Sequence, residues 1–189
     1  FLATGAEHVG QAVTSLGSTL VLKVLAERPV FAPEYGVYSH RLGERWLVGG
    51  ASNSGGAVLR QFFSAERLRA LETELDPDCD SGLDYYPLPG VGERFPVNDP
   101  QLQPRLAPRP DDDARFLQGL LEGIAEIERR GYALLHTLGA PYPDSVVSCG
   151  GGAANAAWRA IRARRLGVPV TLAQHQDAAY GAARLAGRT

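Results

Sequence analysis

The 189 residues are 44% hydrophobic and 21% charged, which supplies one buried core and lies far from disordered or collagen-like composition. A formal net charge of -2 and a pI near 6.1 give no overall basic field for nucleic acid, and no apolar run approaches the roughly 20 residues of a membrane helix. The expected partner is therefore a small molecule.

From Ala12 to Val24, "AVTSLGSTLVLKV" holds two β-rich runs broken at Gly17-Ser18, which predicts a hairpin. "GVYSHRL" and "RWLVGGA" flank Gly43-Glu44 and read as a second strand pair. "GGASNSGGAVLRQFF" then passes through a glycine-rich turn into a helix expected over Gly56–Phe63. A further helix is expected over Ala65–Leu75, with Leu68, Leu71 and Leu75 on one face. Residues 76–110 hold eight of the 13 prolines without sustained periodicity and read as a long loop or insertion. "PDDDARF" places three aspartates at the positive end of a helix, and Leu117, Leu120, Leu121, Ile124, Ile127, Leu135 and Leu138 form its apolar stripe toward Gly139. The last third alternates: "DSVVSC" as strand, "AANAAWRAIRARRLG" as helix, "VPVTLA" as strand, "DAAYGAARLAG" as helix. That is the grammar of an α/β fold with helices on the faces of a sheet.

Two glycine-rich turns are candidate ligand contacts. In "CGGGAAN", glycines between a strand and a helix N-terminus admit a ligand to the main chain, though tight strand-to-helix packing explains them equally well. Asn155 can contact a base or ribose there, or cap the helix. The stretch matches neither a Walker loop nor the dinucleotide spacing G-x-G-x-x-G. In "SLGSTLV", Gly17, Ser18 and Thr19 can reach phosphate oxygens or simply form a hairpin turn. Arg159, Arg162, Arg164 and Arg165 make one helix basic, as a phosphate-attracting face or, more commonly, a solvated one. Asp76, Asp78 and Asp80 alternate like a calcium loop, but Ser81 and Pro87 stand where that loop requires glycine and glutamate. Four histidines show no metal-ligand spacing. Cys79 and Cys149 lie outside any C-x-x-C pattern, which fits a reducing, cytoplasmic home. The chain starts at Phe1 and holds no methionine, and we read it as a fragment or processed product.

In order and spacing, "TSLGSTLVLK", "VGGASNSGGAVLRQF", "CGGGAANAAWRAIRARRLGVPV" and "AAYGAARLAG" resemble the C-terminal half of the FGGY carbohydrate kinases. "YYPLPGVGERFPVNDP" further resembles the xylulokinase-like and D-ribulose kinase branch. The resemblance implies a ribonuclease-H-like (actin-like ATPase) domain with a mixed sheet and helices on both faces. Residues 1–189 would be the nucleotide-binding half of a two-domain enzyme that uses ATP and Mg2+ to phosphorylate a ketose such as xylulose or ribulose. It maps phosphate contacts to Gly17, Ser18 and Thr19, a nucleotide-side turn to Gly56 and Arg60, and the adenosine motif to Gly151 and Asn155. Ala154-Asn155 replaces a lysine-serine pair found in many relatives, so backbone contacts to the adenosine are the firmer part of this mapping. The family's general base, an aspartate in a glycine-rich turn, has no counterpart in "FLATGAEHVG". The chain alone is accordingly expected to be inactive, to meet the sugar through an absent N-terminal domain, and to self-associate as a homo-oligomer where that domain would cover it. The competing expectation is a nucleotide-binding regulatory module of the actin-like ATPase superfamily without sugar kinase activity.

Overall fold

The computed structural model describes residues 1–186, and six segments pair into one sheet: β1 (Gln11–Leu16), β2 (Leu20–Ala26), β3 (Tyr38–Leu42), β4 (Arg45–Ser52), β5 (Ser145–Cys149) and β6 (Val170–Leu172). Across the sheet the order is β3-β4-β2-β1-β5-β6. The first four strands pair antiparallel, joined by the two expected hairpins. β5 joins β1 in parallel, and β6 joins β5 in parallel. A parallel neighbour cannot be reached by a tight turn, so a long crossover must lie between β4 and β5. The helices are α1 (Gly56–Phe62), α2 (Ala65–Glu72), α3 (Asp113–Thr137), α4 (Ala156–Leu166) and α5 (Ala178–Ala186). α2 stops three residues short of the expected Leu75, and Gly187, the last residue of the final expected helix, lies outside the described residues.

α3 is the crossover. Its start is fixed by Asp112, whose carboxylate accepts the Ala114 and Arg115 amides at 2.9 and 3.4 Å. Its apolar stripe covers the sheet face that carries Ala12, Leu16, Leu22, Val24 and Val146, all buried. On the opposite face α5 packs against a 3-10 turn at Leu2–Thr4, where Gly181 approaches Ala3. Helices thus flank both faces of a mixed sheet.

Residues 76–110 contain no helix or laddered strand, only the isolated bridges Tyr86–Arg105 and Glu93–Asp99. They are nevertheless core material, since Tyr85, Tyr86, Leu88 and Phe95 are buried. Three glycines of α3 make the seat. A Cβ at Gly119, Gly123 or Gly131 would stand 2.7–2.8 Å from Leu83, Pro87 or Phe95. Gly50 on β4 clears the other side of the Phe95 ring, where a Cβ would meet Cδ2 at 2.5 Å.

Under the sheet lies a buried ion pair. Arg162 on α4 donates through Nε and Nη2 to the two oxygens of Glu128 on α3, at 2.6 and 2.7 Å, with both side chains 0% exposed. The remaining polar atoms find partners in the sheet. Arg162 Nη1 reaches Ser148 Oγ at 2.6 Å, and Thr14 Oγ1 donates to Glu128 at 2.6 Å. Tyr132 then donates to Thr14 over 2.8 Å; burial pushes its hydroxyl well up, so it keeps its proton. The basic-helix expectation is corrected here. Arg162 faces inward, Arg164 and Arg165 pair with Asp80, and Arg159 donates to the carbonyls of Ala153 and Ala154. Removing one member strands a buried charge, so Glu128→Ala or Arg162→Ala is expected to cost about 3–5 kcal/mol, while Glu128→Met with Arg162→Leu recovers most of it. Urea unfolding of the two single variants and the double variant measures this.

Lys23 on β2 is a second polar group in an apolar setting. Its ammonium sits 3.9 Å over the Tyr38 ring and, among the described residues, has no hydrogen-bond partner. Burial brings its pKa down from 10.5 to about 8. Between those values the unfolded chain holds a proton that the native chain has lost, so this group's contribution to stability rises with pH across that window. Below about 8 both states are charged and the burial cost persists in full. Lys23→Met is therefore expected to stabilise the protein at pH 7, with the gain shrinking by pH 10. Urea midpoints at the two pH values test the expectation.

Candidate functional site

The β1–β2 turn and the start of α1 are hydrogen-bonded into one unit. The Gly56 amide donates to Gly17 O at 2.9 Å, and the Ala57 amide to Ser18 O at 3.1 Å. Gly55 and Gly56 permit this approach, because a Cβ at either would meet the turn's backbone at 2.8 Å. Arg60, one turn along α1, donates through Nη2 to Ser18 Oγ at 2.9 Å. The first amides of α1 are thus occupied by the hairpin turn. The exposed donors on this side are the Ser18 hydroxyl and the Arg60 guanidinium.

The second glycine turn leaves β5 as a 3-10 turn, Gly151–Ala154. Its three glycines have different reasons. Gly150 has φ +87°, and a Cβ there would lie 2.8 Å from Leu16 O. Gly152 is pressed on the buried Trp158, with Cζ3 at 2.5 Å from a would-be Cβ. Gly151 has nothing within 4 Å and no left-handed backbone. Packing therefore accounts for two of the glycines and leaves the third facing open space. Asn155 Oδ1 accepts the Trp158 amide at 2.7 Å, so the residue caps α4, and one of the two expected roles is realised.

Between the turns runs one groove. At the hairpin end a cavity of about 300 Å³ is lined by Gly17, Ser18, Gly56, Arg60 and Gly151. It continues into one of about 280 Å³ bounded by Gly151, Asn155, Arg69 and Glu72. Leu59, Leu68 and Trp158 border both parts, and Leu117 and Leu121 of α3 close the floor of the second. Six of the seven sequence-designated residues thus border a single groove. Thr19, half-buried, is the exception. Arg69, Glu72 and Trp158 were not anticipated. Glu72 Oε1 accepts the Ala156 amide at 3.0 Å and so ties α2 to α4 across the groove. The result is an apolar trough with hydroxyl and guanidinium donors at one end and a charged, amide-bearing lip at the other. It suits an elongated ligand with an apolar body and an anionic tail.

The C-terminal domain of the FGGY family of carbohydrate kinases matches residues 12–189. The chain belongs to the FGGY family of carbohydrate kinases. A xylulose kinase of Escherichia coli (strain K12) is 31% identical over 202 residues, which cover 97% of this chain and 41% of that protein. Among solved structures, a xyloylose kinase from Brucella ovis superposes with a TM-score of 0.80 at 30% identity, covering 97% of this chain and 40% of its own. Plasmodium falciparum glycerol kinase, solved with ADP, reaches 0.82 at 14% identity, covering 99% of this chain and 40% of its own, and speaks for the fold alone. The mixed sheet is that of the actin-like ATPase fold which FGGY kinases share. The chain spans about two fifths of the length of these relatives.

The glycines separate by variant. Gly152→Ala drives a Cβ into Trp158 and is expected to cost about 1–3 kcal/mol. Gly151→Leu projects into the groove and is expected to stay within about 0.5 kcal/mol of the unmodified protein. Thermal unfolding distinguishes the two.

Proposed function

We propose that this chain is the nucleotide-binding half of an ATP-dependent carbohydrate kinase acting on a ketose such as xylulose or ribulose. The observation that carries the nucleotide part is Gly151, a glycine with no packing or backbone requirement, set midway along a groove with donors at one end. In this reading the Gly151–Asn155 lip takes the adenosine and the phosphates extend toward Ser18 and Arg60. Arg60, whose guanidinium also holds the Ser18 hydroxyl, meets the phosphate charge and fixes the donor beside it. The ketose is favoured by the 31% identity to a xylulose kinase over nearly the whole chain.

Phosphoryl transfer rests on positioning and charge stabilisation, and these residues contribute orientation. Of the described residues lining the groove, Glu72 is the one carboxylate, and it borders the adenosine end away from the phosphate turn. The base that takes the sugar hydroxyl's proton accordingly comes from outside these residues, and the chain alone does not turn over. Magnesium would accompany the phosphates. Among the described residues no group of three or more His, Cys, Asp or Glu side chains could hold a metal ion, and no carboxylate lines the Ser18–Arg60 end of the groove, so magnesium there would be held by the phosphates and water. Among the described residues no helix is long and apolar enough to cross a membrane, and a cytoplasmic kinase is the setting proposed.

Calorimetric titration with ADP and magnesium is expected to show saturable binding of about -5 to -6 kcal/mol. Gly151→Leu should abolish it with the fold retained. Undiminished binding by that variant would place the nucleotide elsewhere. ATP consumption by the whole enzyme against a ketose panel tests the substrate: binding without turnover of any sugar would favour the regulatory-module reading.

A further inference from the structure

The segment 76–110 contributes more than apolar packing. Glu93, 2% exposed, lies at its middle, with its backbone locked in a bridge to Asp99 by two 2.9 Å hydrogen bonds. Its carboxylate is turned onto the last residue of β4 and the turn that follows. Oε2 accepts the Ser52 hydroxyl at 2.5 Å and the Tyr86 hydroxyl at 3.3 Å, and Oε1 accepts the amides of Asn53 and Arg94 at 2.8 and 2.9 Å. Two flanking bonds hold the same place, from Asn53 Nδ2 to Gly92 O at 3.0 Å and from Arg94 Nε to Ala51 O at 2.7 Å.

From Ser52 the connection continues. Ser52 Oγ, having given its proton to Glu93, accepts the Ser54 amide at 2.9 Å. Ser54 O accepts the Leu20 amide at 2.7 Å, at the far end of the β1–β2 turn. Two and three residues beyond Ser54 are the Gly56 and Ala57 amides that hold Gly17 O and Ser18 O. We infer that Glu93 is a positioning residue for the phosphate-facing turn: through Ser52 and Ser54 it fixes the backbone that places Gly17 and Ser18. The ligand part of this inference rests on the nucleotide reading above.

Charge and hydrogen count make the link specific. A glutamine at 93 presents an amide that only donates toward Ser52 and Tyr86, or, if flipped, donors toward the Asn53 and Arg94 amides. Flipped, a donor faces two donors; unflipped, the hydroxyls can accept from the amide only by turning their own protons away from it. The Ser52 hydroxyl also loses the acceptor for its proton while its oxygen is already engaged by Ser54. The damage falls on the 52–57 turn and thus on the phosphate end of the groove. The adenosine end is built on β5, α2 and α4 and makes none of these bonds.

The experiment uses Glu93→Gln and, as an independent cut of the same link, Ser52→Ala. Amide hydrogen exchange is followed by NMR, and ADP with magnesium and adenosine, which has no phosphates, are each titrated. The expected result is faster exchange at Gly56 and Ala57 with α3 amides unchanged, and an ADP affinity reduced about tenfold while adenosine changes by less than about twofold. Equal loss of ADP and adenosine, or unchanged exchange at Gly56 and Ala57, overturns the inference. If the unmodified protein binds neither ligand, the nucleotide reading fails by itself. The positioning role is then decided by exchange alone, upheld by faster exchange in either folded variant and overturned by its absence.

Discussion

The buried pairing of Glu128 with Arg162 is the constraint from which the rest of this domain takes its geometry. A carboxylate and a guanidinium removed from water are tolerable only when nearly every lone pair and proton is matched, and four different elements supply the matches. Thr14 and Ser148 are register partners on β1 and β5, so both hydroxyls face the same side of the sheet. A one-residue slip of either strand would turn its hydroxyl to the other face and leave the ion pair short of a partner. The pair is thus a register device for the parallel junction of β1 with β5, where no tight turn sets the alignment.

The same pair sets the groove. Trp158 lies one helical turn before Arg162 on the inner side of α4, and its indole N–H donates to Leu121 O of α3 at 3.1 Å. With the ring held there, the chain leaving β5 can pass only where a glycine stands against it, at Gly152. Gly151 then faces outward. Glu72 closes the arrangement by joining α2 to the first amide of α4. Wall, floor and lip therefore follow from how α3 and α4 are locked together under the sheet. The hairpin turn at the other end is held separately, by the start of α1.

What the sequence disclosed follows the range of the interactions involved. Both hairpins were legible because their turn residues and alternating runs are local, and α3 because seven apolar residues keep helical spacing. The α/β order of the last third was legible for the same reason. The three residues from Thr73 to Leu75 show the usual limit of periodicity, which continues past the point where the backbone turns away. The spacing of Arg162 within a basic helix is that of a solvated face, and only Glu128, 34 residues earlier, reveals otherwise. The proline-rich segment is without helix or ladder, as its composition implies, but its burial is not legible because its partners are glycines of α3, and absent side chains leave no apolar signal. Six of the seven designated residues border the groove because glycine turns between elements are local too. Arg69 and Glu72 carried no signal of their own.

One feature of composition acquires a physical meaning from the fold. Of 19 basic side chains in the sequence, 18 are guanidinium groups, and the single primary amine is the ammonium of Lys23 under Tyr38. Guanidinium groups neither titrate below about pH 12 nor accept the acyl groups that neutralise lysine. Apart from Lys23 and the four histidines, the side-chain cationic charge of this domain is therefore permanent, indifferent to alkaline shifts and closed to regulation by amine acylation.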